Sequence, residues 1–249
     1  MKKEYVFSLN EIRVIANILG YNWIFGLWDP YQLIAVPLIN RTEINELEKG
    51  KIIQIPFNGE IYVDDNVRHL FDVVCNPLKI KTCCKNNEPE YTAYCDDQLI
   101  VIAKRIGYSK YSFKCCDADC DIFNRDLFCN TSLDCFLEIN ICLIQQWLDL
   151  ITNFDVIGVK QIVNQTYHRY ADLIFSFIME DLDTYIIHFY DRMNGYYKDE
   201  SCFSFVEYKD SFFQIVQNGD DSLAFYIVNA DFNEVLYGEC SSYDNGFIK

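Results

Sequence analysis

The feature that most constrains this fold is a change of period that occurs twice along the chain. Through the first 77 residues, apolar side chains recur mainly every three or four positions. From Leu78 they alternate with polar ones in short runs. Segments 78–84, 90–95, 98–104 and 108–116 read as strands, with Asn86-Asn87, Asp96-Asp97 and Gly107 at their turns. The longer period then returns. Leu133, Phe136, Leu137, Ile141, Ile144, Trp147, Leu148 and Ile151 predict a long helix starting after Thr131 or Ser132, and a second is predicted over about 156–179. Strand-like runs follow at 184–190, 202–208, 211–217, 222–229 and 233–239, with turns at Met193-Asn194-Gly195, Asn218-Gly219-Asp220 and Asp231. Strands joined by turns this short are antiparallel, because parallel neighbours need crossovers of about a dozen residues. The predicted class is α+β. Two quasi-symmetric halves, 1–128 and 129–249, are each expected to run helices and then a meander around a central antiparallel sheet, as one compact unit.

The first half has clear punctuation. Ser8 and Glu11 form a capping box, and Leu9, Ile12, Ile15, Ala16 and Leu19 share one helical face that ends at Gly20. Residues 21–37, with Pro30 and Pro37, read as an irregular packing segment. A short helix follows Asn40 or Thr42 and ends at Gly50, Lys51 to Pro56 reads as a strand, and Asn58-Gly59 is a tight-turn signal. A third helix is predicted from about Asp65 to Val74, with Val67, Leu70, Val73 and Val74 inward.

Charge narrows the function. The chain of 249 residues carries a formal net charge of −16. Residues 1–130 hold 15 basic and 18 acidic side chains, whereas residues 131–249 hold 6 and 19, a net of −13. An acidic body repels nucleic-acid phosphates and anionic headgroups, so neither nucleic-acid binding nor membrane insertion is expected. A winged-helix reading of residues 41–60 fails for the same reason: Glu43, Glu46 and Glu48 outweigh Arg41 and Lys49. The opening segment reaches polar Ser8 and Asn10 without an apolar run, so no signal peptide is expected and the cytoplasm is the predicted compartment.

No catalytic signature emerges: there is no G-x-S-x-G, G-x-G-x-x-G, Walker or H-E-x-x-H pattern. The twelve cysteines include no C-x-x-C pair, so they read as reduced, small core hydrophobes and no metal site or cofactor is predicted. His69, His168 and His188 are isolated in sequence. His188 sits in an alternating strand and reads as a packing residue, while His168 beside Arg169 reads as a solvated helix face. Asp117-Ala118-Asp119-Cys120-Asp121 imitates the start of a calcium loop, but Ile122 and Phe128 stand where an EF-hand needs Gly and Glu. Asp181 and Asp183 read as turn and capping residues.

The order of elements resembles that of the EspG-like chaperones of type VII (ESX) secretion systems. The likeness is carried by Phe7-Ser8-Leu9-Asn10-Glu11-Ile12-Arg13-Val14-Ile15-Ala16 with Leu19-Gly20, by Leu47-Glu48-Lys49-Gly50, and by Val73-Val74-Cys75-Asn76-Pro77 before the meander. At sequence level it covers roughly residues 5–80, and the cysteines and residues 131–179 have no counterpart in it. The resemblance implies an α+β fold of two quasi-symmetric halves and a cytosolic, non-catalytic chaperone that holds a helical secreted substrate before export. The alternative is an immunity protein that neutralises a secreted toxin through its acidic surface, since charge complementarity speeds capture. An enzyme with a thiol or metal site built from the cysteines is the reading from a different class. Contacts are expected at the turns near Asn86–Pro89 and Asn218–Ser222, with Tyr91, Phe212, Phe213, Asp220, Asp221 and Tyr226 as candidate partner-binding residues.

Overall fold

A computed structural model describes residues 4–21, 24–27, 41–57, 59–117, 121–125, 135–153, 155–179 and 182–228. Expectations for the strand at 233–239, for residues 131–134, for Asp181 and for most of the acidic run 117–121 lie outside the described residues.

Strand β1 (Glu4–Ser8) turns inward at Tyr5 and Phe7 and passes directly into α1 (Leu9–Ile18). The helix starts there because the Ser8 hydroxyl accepts the Glu11 amide at 3.2 Å while the Ser8 amide donates to the Glu11 carboxylate at 2.7 Å. It stops where Gly20 takes a φ of +83°, a conformation that costs glycine nothing. Helix α2 (Arg41–Lys49), the two-stranded ribbon β2 (Ile53–Gln54) with β3 (Tyr62–Val63), and α3 (Asp65–Cys75) follow. Asp64 caps α3 through the amides of Asn66 and Val67. Four strands come next: β4 (Lys79–Lys85), β5 (Glu88–Cys95), β6 (Leu99–Arg105) and β7 (Lys110–Asp117).

The later part of the chain begins with β8 (Leu137–Asn140), then α4 (Ile141–Thr152), α5 (Val156–Tyr167) and α6 (Ala171–Ile178), then β9 (Asp183–Met193), β10 (Tyr196–Tyr208), β11 (Ser211–Asn218) and β12 (Ser222–Val228). Two expectations are corrected here. The predicted helix from 131–132 starts only at Ile141, because Leu137 and Ile139 alternate inward as a strand and Asn140 accepts the Cys142 amide as the cap. The predicted helix over 156–179 is two helices, broken by a 3₁₀ turn at His168–Tyr170 where His168 has a φ of +37°.

Among the described residues, ten strands form one antiparallel sheet in the order β1-β7-β6-β5-β4-β9-β10-β11-β12-β8. In each part of the chain, the strand preceding the helices closes against the last strand of its meander: β1 on β7, and β8 on β12. The two meanders meet at β4 and β9, where Lys79–Lys85 pairs with Tyr185–Asp191. Three hairpins use two-residue loops with both residues left-handed: Asn86-Asn87, Asn194-Gly195 and Lys209-Asp210. Such loops match the twist of the strands they join.

Alternation along the strands assigns the faces. On one face α1 and α3 pack over Tyr5, Phe7, Ile80, Tyr94, Val101 and Phe113. The same face, further across the sheet, carries α4–α6 over Val206, Phe213 and Phe225. The opposite face buries Cys83, Tyr91, Tyr185, Ile187, Phe189 and Phe205 together with Ile122 of the turn Asp121–Phe123.

Candidate functional site at the central strands

On the helical side of the sheet, the central strands are incompletely covered. Along β9, Tyr185, Ile187 and Phe189 are buried on the far side, whereas Ile186, His188 and Tyr190 point to the helical side and are only half-buried. Thr82 and Cys84 of β4 flank them, and so do Cys202 and Ser204 of β10. His188, read from its alternating strand as a packing residue, is part-buried, with its side chain 30% exposed.

Two polar groups converge on His188. Its Nδ1 lies 3.1 Å from Asp199 Oδ2, and its Nε2 lies 3.8 Å from Cys202 Sγ. Cys202 stands directly opposite His188 in the β9–β10 register. Asp199 is three residues before Cys202, an odd spacing that in a regular strand would put the two side chains on opposite faces. A β-bulge between Asp199 and Ser201 absorbs the extra residue, so Asp199 pairs with Tyr190 and faces the same side as Cys202. The His188 ring also stacks on Tyr190, with centroids 5.9 Å apart. A carboxylate beside Nδ1 favours the tautomer that carries the ring proton there, in which Nε2 is left to accept from the thiol. Desolvation, and then the nearby Asp199 charge, raise the Cys202 thiol above the ordinary cysteine value, so it rests as S–H. Nothing in the sequence pattern pointed to this cluster: the strand was expected only over 202–208, which leaves Asp199 outside it, whereas β10 runs from Tyr196 to Tyr208.

The candidate contact residues fall into three groups by burial. Tyr91, Phe212 and Phe213 are buried. Tyr91 lies under Lys81 Nζ, 5.5 Å from its ring centroid, Phe212 packs edge-on against Tyr185, and Phe213 packs against Phe136. Tyr226 is half-buried beside Gln214. Asp220 and Asp221 are exposed in the β11–β12 turn. The structure does not bring the six together. The other expected contact turn is already engaged within the chain: Asn86 donates from Nδ2 to Asp183 at 2.8 Å, accepts the Thr184 amide, and leaves Lys85 to pair with Asp183 at 2.7 Å. These two hydrogen bonds of Asp183 with Lys85 and Asn86 hold its carboxyl below the usual range.

Among the described cysteines, Cys83 is fully buried and burial pushes its thiol up to about 12, while Cys135, Cys142 and Cys202 are exposed. Among the described residues, no group of three or more His, Cys, Asp or Glu side chains could hold a metal ion, and no helix is long and apolar enough to cross a membrane. No protein-family model matches the chain, and no curated protein matches it either.

Proposed function

We propose that this protein is a non-catalytic, cytosolic partner-binding protein, of the kind the EspG-like resemblance implies: a chaperone that holds an apolar segment of a helical protein before export. The observation that supports this reading is the incomplete burial of the second helical layer. Eight of the twelve residues of α4 are apolar, yet Trp147 alone among them is buried. Leu148 is 37% exposed, and on α5 Ile157 and Ile162 are 74% and 42% exposed. Helices that keep this much apolar surface in water suit capture of an apolar helix laid along them. The strand order also supports reading the two halves as quasi-symmetric versions of one unit, strand–helices–meander, joined through β4 and β9.

A specific observation favours the second reading, an immunity protein: Asp220 and Asp221 project from one turn of the half that carries a net charge of −13. One experiment separates the two. The tagged wild-type chain, Leu148→Asp/Ile157→Asp and Asp220→Asn/Asp221→Asn are each used to capture partners from the source organism's lysate. A helical, export-bound protein recovered in near-equal amount by wild type, retained by the Asn variant and lost by the Asp variant, is the expected result. Loss with the Asn variant only, and recovery of a basic toxic domain, would replace the chaperone reading with immunity. Recovery of no specific partner would overturn both.

A further inference from the structure

We propose that Cys202, His188 and Asp199 form a nucleophilic site in which Cys202 accepts an acyl group from an uncharged or cationic ester or thioester. This goes beyond the partner-binding reading and does not depend on it; because the acyl group stays on Cys202, it is a single covalent capture and not a catalytic turnover. The geometry is that of a nucleophile, a base and an orienting carboxylate in line: thiol to Nε2 at 3.8 Å, Nδ1 to carboxylate at 3.1 Å. Each member comes from a different structural device. The β9–β10 register sets Cys202 opposite His188, the bulge re-aims Asp199 onto their face, and Tyr190 stacks on the imidazole.

The thiol is also reachable. Cys202 is exposed, and β11 pairs with β10 only over Ser204–Tyr208, so the edge of β10 next to Cys202 has no β11 partner. The donor class follows from charge: Asp199 is exposed beside the site in a chain of net charge −16, which disfavours anionic donors, while Glu200 is paired with Lys198 at 3.3 Å.

The step balances with the donor as sole co-reactant. Cys202 Sγ attacks the carbonyl carbon as its proton passes to His188 Nε2. The S–C bond forms, the bond from carbon to the leaving oxygen or sulfur breaks, and His188 returns the proton to that leaving group. The products are an S-acyl cysteine and a free alcohol or thiol, with no change of oxidation state. A thiol that rests protonated suits this route, in which His188 removes the proton during attack rather than beforehand.

The test uses the full-length chain and p-nitrophenyl acetate, an uncharged activated ester. Released p-nitrophenolate is followed by absorbance, and acetylation is assigned residue by residue by peptide mass spectrometry. Cys135 and Cys142 are internal references, because both are exposed. Cys142 is a stringent one, since it lies in the first turn of α4. The expected result is one equivalent of p-nitrophenolate, with acetyl on Cys202 at least ten times faster than on either reference. Cys202→Ser removes that phase, and His188→Gln slows it by about a hundredfold or more, the ordinary contribution of a general base. Asp199→Asn gives a smaller loss, because it orients rather than reacts. Equal rates at the three cysteines in the wild-type chain would overturn the proposal without any variant. So would a Cys202 rate that His188→Gln leaves unchanged, with Cys83 still protected from labelling as evidence that the variant is folded.

Discussion

The two helical layers answer to the same local rules and yet bury very different shares of their apolar surface. In the first layer, α1 buries Ile12, Val14, Ile15 and Ala16, and α3 buries Val67, Leu70, Phe71, Val73 and Val74. Phe71 closes that core against Phe7 and Phe113, with centroids 5.9 and 6.2 Å apart. In the second layer, α4 buries Trp147 and α5 buries Val159 and Val163, and α6 alone resembles the first layer. Both layers begin with a strand feeding straight into a capped helix. Starting a helix and covering it are therefore separate matters: caps are local, while burial depends on what lies above the stripe.

Substitutions can break or sharpen that contrast. The largest effect is expected at the buried anchors. Phe71→Ala and Trp147→Ala should each cost about 3–5 kcal/mol in urea denaturation, since each leaves a cavity in its own core. A single shared transition is expected for both, because β4 and β9 join the two meanders in one sheet; separate transitions would show that the layers are independent domains.

Next come the caps. Ser8→Ala and Asn140→Ala should each cost about 1 kcal/mol, with Ser8 the more costly because Glu11 reciprocates. Equal losses would show that the reciprocal bond adds nothing.

Smaller still is the Asp183 contact that ties the β4–β5 turn to β9. Its carboxyl is held low in the folded state, so its contribution is present above the unfolded carboxylate range and is lost as pH falls through the lowered native value. The Lys85 and Asp183 side chains are 33% and 42% exposed, so solvent screening limits the loss in Asp183→Asn to about 0.2–1 kcal/mol at neutral pH. Stability curves of the variant and the parent should converge in acid. The smallest effect is expected at the open stripe, where Ile157→Asp, at a position 74% exposed, should change stability by no more than about 0.5 kcal/mol while weakening partner capture. A large destabilisation there would mean the stripe is structural after all.

Much of the architecture was legible residue by residue. The Ser8–Glu11 box, the stop at Gly20, helix 65–75 and the meander from β4 to β7 stand within a few residues of where the pattern put them. The stripe from Leu133 to Ile151 misled. Leu137 and Ile139 satisfy a helical period and a strand period equally, and pairing with Leu223 and Phe225 of β12 decided between them. The break at His168 was invisible too, because neither Pro nor Gly marks it.

What the sequence determined alone was local: which segments cap, turn and alternate, that the strands are antiparallel, and that the chain is strongly acidic. Hydrogen bonds between near neighbours and the twofold period of a strand operate over a few residues, so they are written in order along the chain. Tertiary structure decided the rest. It chose β4 and β9 as the junction, left α4 half-covered, and set His188 between Asp199 and Cys202 through one extra residue in β10. Those outcomes depend on register between strands distant in sequence, where a shift of one residue moves every side chain to the other face.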